Sequence, residues 1–445
     1  MSDALTMMDG TIHAKEAVRA DSDGWKPMKK AKVLPRGRLV TGLDVGTSKM
    51  CCFIARVGDE GRPQVVGIGH QISHGVKGGA IVDMEAAERA ILATVHAAEQ
   101  MAGETIRQVI VNVSGGYPAS QTIGVEVDIA GHEVGDGDLR RALDHGSHVN
   151  GGEDRRLIHS IPVGYTIDGS RGIRDPRGMY GERLGVDMHL VTAASGPLRN
   201  LQTCIERCHL DIQALVVSPY AAGLSSLVED EMDLGVTVID MGGGTTTIAV
   251  FFDGNVVYTD SLPIGGAHVT NDIARGLSTP LVHAERMKTL YGNCIASPSD
   301  EREVISVPQV GEDDPTQATT IPKSFLVGII QPRIEETFEL VRSRLEAGGF
   351  DKIAGRRVVL TGGASQLSGA RELAAMALDK QVRMGRPIRI GGLAEATGGP
   401  AFATAVGLLA YAVEADLETP KPHRPAAEEP NGLIGRIGHW FRENF

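Results

Sequence analysis

The chain has 445 residues and a formal net charge of -12, so it can bury several cores, and we expect two large lobes with smaller insertions. The acidic balance argues against nucleic acid as a partner, because phosphate backbones require concentrated Lys and Arg. Five cysteines, two of them adjacent at Cys51 and Cys52, give no sensible disulfide framework and indicate a reducing compartment. No apolar run approaches the ~20 residues that a membrane-spanning helix needs.

Residues 1–37 are expected to form a disordered N-terminal extension. They mix charged residues with Gly and Pro, a composition that buries too little apolar surface to offset the entropy of folding. They also lack the apolar core of a secretory signal.

The first ordered motif is a predicted β-hairpin. Apolar runs at Leu39–Val45 and Met50–Ala55 flank its turn, and Asp44 stands at the end of the incoming strand. The turn consists of Gly46, Thr47, Ser48 and Lys49. A third short strand, Gln64–Ile68, follows the hairpin.

The next elements predict an inserted subdomain at residues 83–161. Apolar positions at helical spacing run from Asp83 to Met101. Strands are expected at Ile106–Val113, Gln121–Ile129 and Arg156–Val163, with a short helix at Asp136–His145. Beyond this block come a helix at Pro197–Cys208, a strand at Ile212–Val217 and a helix that Ser218 can cap.

A second copy of the hairpin occupies Gly235–Val250 and is followed by a third strand at Asn255–Leu262. Its turn lacks Cβ atoms at three successive positions, so backbone N–H groups can approach an anion, for which phosphate is the natural candidate. Asp240 precedes that turn, where a carboxylate can hold Mg²⁺ through water. The turn residues are Gly242, Gly243, Gly244 and Thr245. The duplication predicts two related lobes that share a metal nucleotide.

Three later stretches are candidates for contacts with the phosphates, ribose and adenine of a nucleotide. A glycine-rich bend at Pro263–Ala267 opens a helix whose N-terminus favours anions, and His268 is expected to be a capping or surface residue. On the helix at Thr279–Leu290, Glu285 and Lys288 share a face, where they contact ribose and adenine or form an ordinary surface ion pair. A buried strand then ends in a turn against which a flat adenosine can lie. That turn consists of Gly362, Gly363 and Ala364.

Two phosphate turns followed by an adenosine turn resemble the actin-like ATPase superfamily, and the resemblance extends from Leu39 to Val413. It implies an α/β, actin-like (ribonuclease H-like) fold of two lobes, each with a five-stranded mixed sheet, and ATP with Mg²⁺ in the cleft. Three segments are most similar to the FtsA family of bacterial cell-division proteins, which carries a small α+β subdomain inserted in its first lobe. They are Gly172–Leu184, His268–Ala274 and Ala403–Leu409.

The resemblance sets expected domain boundaries. These are 1–37 for the extension, 38–82 and 162–233 for the first-lobe core, 83–161 for the inserted subdomain, 234–265 and 332–413 for the second-lobe core, 266–331 for its small subdomain, 414–431 for a flexible linker and 432–445 for an amphipathic membrane-targeting helix.

The resemblance also assigns roles in the cleft. The two glycine turns grip the phosphates, and Asp44 and Asp240 steer Mg²⁺ through water. Lys49 either adds charge to the phosphate site or lies in solvent at the strand edge. Ser218 stands where hydrolysing relatives have a carboxylate, and a hydroxyl is no general base at neutral pH without help. We therefore expect no enzyme role for the chain beyond slow ATP hydrolysis.

The C-terminal segment predicts an anchor. Residues 414–431 are charged and contain four prolines, as in an extended tether. On a helix over 432–445, the large apolar residues share one face. They are Leu433, Ile434, Ile437, Trp440, Phe441 and Phe445. This stripe docks on its own protein, fills a partner's groove or lies in a bilayer interface, and the aromatic residues beside Arg favour the bilayer.

An ATP-sensitive body tied to such a helix suits attachment of a filament to the cytoplasmic face of the bacterial inner membrane. FtsA resemblance implies the partner FtsZ, whose C-terminal peptide binds the small subdomain of the second lobe, together with self-association and contacts with other division proteins. The alternatives are a cell-shape filament protein of the MreB type and a sugar or acetate kinase. A chaperone would need a substrate-binding domain of well over a hundred residues after the ATPase.

Overall fold

The computed structural model describes five stretches of the chain. They are residues 37–58, 61–147, 154–311, 319–388 and 390–414. The expected N-terminal extension apart from Gly37, the expected linker apart from Glu414, and the membrane-targeting helix lie outside the described residues. None of the helices within these stretches is long and apolar enough to cross a membrane.

The first lobe begins with three antiparallel strands and a crossover helix. Its first elements are β1 (Leu39–Val45), β2 (Lys49–Val57), β3 (Pro63–Ile72), β4 (Val76–Lys77), β5 (Ala80–Ile81), α1 (Met84–Ala102) and β6 (Gln108–Val113). The Asp83 side chain caps α1 by accepting from Ala86 N–H at 3.0 Å. Since α1 packs on β2 and β3 and β6 pairs in parallel with β1, residues 84–113 belong to the first lobe. The expectation that they open the inserted subdomain is corrected.

The inserted subdomain has its own sheet and core. Its elements are β7 (Ala119–Asp128), α2 (Asp136–Ser147), β8 (Arg155–Ile167), β9 (Ser170–Ile173) and β10 (Arg183–Ala194). The strand order is β7-β10-β8-β9, and α2 covers a cluster that includes Leu139, Leu184 and Met188. The sheet of the inserted subdomain thus spans 119–194, whereas the subdomain was expected at 83–161. The segment Gly172–Leu184 lies within this subdomain and not in the first-lobe core expected at 162–233.

The chain then completes the first sheet and builds a second sheet with the same topology. The elements that follow are α3 (Ser195–Arg207), β11 (Asp211–Val217), α4 (Ser218–Ser226), α5 (Glu229–Leu234), β12 (Val236–Met241), β13 (Thr246–Phe252), β14 (Asn255–Leu262), α6 (Gly266–Gly276), α7 (Leu281–Tyr291), β15 (Val304–Val307), β16 (Thr319–Pro322), α8 (Lys323–Ala347), α9 (Phe350–Ile353), β17 (Arg357–Thr361), α10 (Ala370–Leu378), β18 (Gln381–Met384) and α11 (Ala403–Glu414). The sheets run β3-β2-β1-β6-β11 and β14-β13-β12-β17-β18, with matching parallel and antiparallel pairs. The predicted duplication is confirmed.

Two helices, α4 and α11, join the sheets. α11 packs on α4 and on strands β1 and β6, and α4 also contacts β12 and β13. The helices approach so closely that a Cβ on Gly407 would lie 1.8 Å from the carbonyl oxygen of Ala221. Residues 403–414 therefore pack in the first-lobe core, which corrects their assignment to the second-lobe core at 332–413. α8 also runs unbroken through the expected boundary between residues 331 and 332.

Candidate nucleotide site

The two glycine turns have the same local construction. In the first, Gly46 N–H donates to the Lys49 carbonyl at 3.1 Å, and in the second, Gly242 N–H donates to the Thr245 carbonyl at 2.8 Å. Each bond closes the end of an antiparallel pair, β1–β2 or β12–β13. The same strand–turn–strand unit is thus presented from each lobe.

These turns meet face to face. A Cβ on Gly243 would lie 2.0 Å from Ser48 Oγ, and one on Gly244 would lie 2.4 Å from Thr47 Oγ1. Real Cβ atoms do not approach other atoms so closely, so a side chain at either position would require the facing hydroxyl, or the lobe that carries it, to shift. The structure therefore brings together the hydroxyls of the first turn and the bare backbone of the second, as the sequence predicts.

Asp44 and Asp240 lie beside the turns and are buried, with 9% and 8% of their surface exposed. Burial raises the pKa of Asp44 from its ordinary 3.8 to about 7, and the charge of Asp240 raises it while that of Lys49 lowers it. Burial likewise raises the pKa of Asp240 to about 6. Two buried carboxyls with raised pKa values lack sufficient positive charge nearby.

This pair fits a hydrated Mg²⁺. That ion keeps several waters and takes only one or two carboxylates, and its charge would favour the ionised form of both groups. Within the described residues, no three His, Cys, Asp or Glu side chains are grouped so that they could hold a metal. Two carboxylates match the number that such an ion takes from a protein.

Lys49 is half-buried and does not lie free in solvent at the strand edge. Its ammonium donates to the Ala401 carbonyl at 2.7 Å and lies 3.4 Å from the ring centroid of Phe402. A cation over an aromatic face is held electrostatically. The lysine charge is thus placed against the segment before α11, from where it lowers the pKa of both aspartates.

The N-terminus of α6 supports the second turn. Gly266 and Ala267 N–H groups donate to the carbonyls of Gly242 and Gly243 at 3.0 and 2.8 Å. These two donors are therefore already used within the protein, contrary to the expectation that they await an anion. His268 Nδ1 accepts from Gly265 N–H at 3.1 Å, which confirms its predicted capping role.

Glu285 and Lys288 lie next to that helix start. They form an ion pair at 2.7 Å, and Lys288 Nζ also donates to the Gly266 carbonyl at 3.2 Å and to Thr270 Oγ1 at 2.9 Å. A Cβ on Gly266 would lie 3.1 Å from Ala364 Cβ. The predicted ribose-side pair and the predicted adenosine turn therefore border the same region, on either side of Gly266.

The predicted adenosine turn also lies against Asp240, one of the two carboxylates predicted to hold Mg²⁺. Gly362 has a φ of +87°, and a Cβ there would lie 2.3 Å from Asp240 Oδ1. A 3₁₀ turn follows at Gly363–Gln366, and α10 begins only at Ala370.

A segment whose role sequence reasoning missed, Pro400–Thr404, contacts the first turn, the adenosine turn and Asp240. The Pro400 carbonyl accepts from Gly362 N–H at 3.2 Å. The next carbonyl accepts from Lys49, and Thr404 Oγ1 donates to Asp240 Oδ2 at 2.8 Å. The available signal was the glycine pair before Pro400, which marks a turn, but nothing local in the sequence indicates the contact.

Ser218 is buried at the start of α4. Asn112 Nδ2 donates to Ser218 Oγ at 3.2 Å, and Asn112 Oδ1 accepts from Val45 N–H at 2.7 Å. One amide side chain thus links Ser218 to the end of β1, beside the first phosphate turn.

Comparison with known proteins identifies the family. The family model for cell division protein FtsA matches residues 237–407, and the model for the SHS2 domain inserted in FtsA matches 115–192. Over 432 residues the chain is 46% identical to the cell division protein FtsA of Rhizobium meliloti, covering 94% of this chain and 98% of the relative. The chain belongs to the FtsA family.

More distant FtsA relatives and solved structures agree. FtsA of Pseudomonas aeruginosa is 35% identical over 92% of this chain and 99% of its own length, and FtsA of Escherichia coli is 32% identical over 92% and 98%. The PilM–PilN type IV pilus biogenesis complex gives a TM-score of 0.59 at 18% identity, covering 84% and 98% of the two chains. MreB 5 of Spiroplasma citri bound to AMPPNP gives 0.52 at 14%, covering 86% and 99%. The predicted actin-like fold is confirmed, and the SHS2 match agrees with the sheet at 119–194.

Proposed function

We propose that this FtsA-family chain binds ATP with Mg²⁺ between its lobes, self-associates, and fastens FtsZ polymers to the cytoplasmic face of the inner membrane at the division site. The observation that carries the nucleotide proposal is the contact of two glycine turns beside two buried aspartates. The actin-like fold supports it, since MreB 5 of Spiroplasma citri is bound to AMPPNP in its structure.

In this proposal, the two turns separate to admit the nucleotide. Gly46, Thr47 and Ser48 then hold phosphate oxygens from one lobe, and the second glycine turn holds them from the other. Asp44 and Asp240 orient the water shell of the cation. Mg²⁺, when bound, neutralises phosphate charge. The Ser218 hydroxyl lacks the basicity to activate water, so the nucleotide acts as a structural ligand that sets lobe closure.

Titration of the full chain with ATP and Mg²⁺ tests this site. Asp240→Ala is expected to weaken binding by roughly 10-fold or more, because the cation loses a carboxylate. The matched control is Asp211→Ala, since Asp211 is exposed at the start of β11, the end of the parallel strands remote from the turns. Unchanged ATP affinity in Asp240→Ala would refute the site.

For FtsZ, we propose that its C-terminal peptide binds the exposed face of α7 in the small subdomain. Val282 and Leu290 are 79% and 58% exposed, and with Arg286 they follow each other at four-residue spacing on one face. An apolar stripe with one cation suits a short peptide that carries apolar and acidic side chains.

Fluorescence anisotropy of a labelled FtsZ C-terminal peptide tests that face. Val282→Asp should weaken binding roughly 10-fold, because a charge replaces an apolar contact. Ile72→Asp is the control, since Ile72 is 73% exposed on β3 of the first lobe. Equal affinities for both variants and the parent chain would contradict the assignment.

For the membrane, we propose that residues 432–445 insert as an amphipathic helix. Each large side chain contributes at most ~1.5 to 3 kcal/mol when fully buried, so one helix attaches reversibly and self-association makes attachment firm. In vesicle co-sedimentation, Trp440→Asp should lower the bound fraction, whereas His439→Asp, on the polar side of the helix, should not. An equal loss of the bound fraction in both variants would mean that the added charge, and not the loss of an inserted side chain, weakens membrane binding.

A further inference from the structure

The two oxygens of the Asp240 carboxylate are held by different groups. Oδ2 accepts from Thr404 Oγ1 at 2.8 Å, whereas Oδ1 lies against Gly362, where a Cβ would come within 2.3 Å. Both Asp240 and Thr404 are 8% exposed, so water does not compete freely for this bond. The carboxylate is therefore confined to one orientation.

Thr404 reaches Asp240 from the other lobe. Asp240 lies near the end of β12 in the second sheet, but Thr404 lies in the first turn of α11, which packs on β1 and β6 of the first sheet. The close contact of Gly407 with Ala221 fixes α11 against α4. A single hydroxyl thus ties the position of Asp240 to the first lobe, which also carries Asp44.

The donated hydrogen bond also favours the ionised carboxylate. A ligand held by an outer hydrogen bond presents its oxygen in a fixed direction, and loss of such partners typically weakens metal binding by 10–100-fold.

We propose that Thr404 is a positioning residue for the divalent cation: its hydroxyl orients Asp240 so that nucleotide binding depends on Mg²⁺. This inference rests on the proposed nucleotide function and adds a residue from α11 to it. A purely structural role would make the same hydrogen bond but would change nucleotide affinity equally with and without the cation.

The test uses the full chain and measures ATP affinity by calorimetry, once with Mg²⁺ and once with excess EDTA. The parent chain is compared with Thr404→Val, which keeps the shape but lacks the hydroxyl, and with Thr404→Ser, which keeps the hydroxyl. We expect Thr404→Val to lower the ratio of the two affinities by roughly 10-fold or more, with the EDTA value unchanged. Thr404→Ser should retain the parent ratio.

The outcomes separate the two proposals. A Thr404→Val chain that keeps the parent ratio, or that loses affinity equally in both conditions, overturns the role of Thr404. ATP binding by the parent chain without any Mg²⁺ dependence also overturns it, but leaves the nucleotide proposal standing. A parent chain that binds no ATP overturns the nucleotide proposal itself. If Thr404→Val does not fold, Thr404→Ala is judged by the same ratio.

Discussion

Asp44 is expected to destabilise the nucleotide-free protein at neutral pH. Its pKa is raised from 3.8 to about 7, chiefly by burial. Between these values the folded chain binds a proton that the unfolded chain releases, so the free energy of unfolding falls as the pH rises through this window. The difference corresponds to roughly 4 kcal/mol, fully present above pH 7 and absent below pH 3.8.

Asp44→Asn should remove this penalty, because the amide is neutral and has nearly the same shape. Urea unfolding of the nucleotide-free chain is expected to show a gain of up to about 4 kcal/mol at pH 8 and a smaller gain at pH 5, where the folded parent is already mostly neutral at this site. The same variant should bind ATP with Mg²⁺ more weakly. Asp211→Asn, an exposed aspartate, is the control.

The reasoning would be refuted if Asp44→Asn were less stable than the parent chain at pH 8. It would also be refuted by an equal gain at both pH values, since the penalty from charge should be only partly present at pH 5. Such results would place the energetic effect in packing and not in charge.

Two further predictions concern contacts between secondary-structure elements. Gly407→Ala should destabilise the chain, because overpacking against the Ala221 carbonyl costs roughly 1–3 kcal/mol. The better helix propensity of Ala offsets less than about 1 kcal/mol of this cost. A raised thermal midpoint would contradict this packing. Glu231→Gln should cost roughly 1.5–3 kcal/mol at pH 7, since Glu231 is 5% exposed and pairs with Arg383. Burial opposes ionisation of Glu231, but hydrogen bonds from Arg383 and Val228 outweigh it and hold its pKa below the ordinary 4.5. Its contribution should therefore be lost as the pH falls below 4.5, and a difference independent of pH in urea unfolding would contradict the ion-pair assignment.

Local patterns were enough to predict the two hairpins and their duplication. Strand alternation, a carboxylate and glycines within one turn are all short-range signals, and β14 has the predicted bounds of Asn255–Leu262. The i, i+3 spacing placed Glu285 and Lys288 on one face and left a surface ion pair open beside a ribose contact; the structure contains the ion pair.

Long-range pairing accounts for what the sequence did not predict. β6 resembles any short apolar strand, and only its parallel pairing with β1 assigns it to the first lobe. α11 is distant in sequence from α4, so its place in the first-lobe core was not predictable from its own pattern. The same distance hid Thr404, which lies 164 residues from Asp240, and the contacts of Lys49 with Ala401 and Phe402.

The link between polymer and membrane is tested most directly by co-sedimentation of FtsZ with lipid vesicles. FtsZ is mixed with vesicles and ATP–Mg²⁺, together with either the whole chain or a chain that ends at Asn431. We predict that FtsZ pellets with vesicles only in the presence of the whole chain. Equal recovery of FtsZ with both chains, or none with either, would contradict the account.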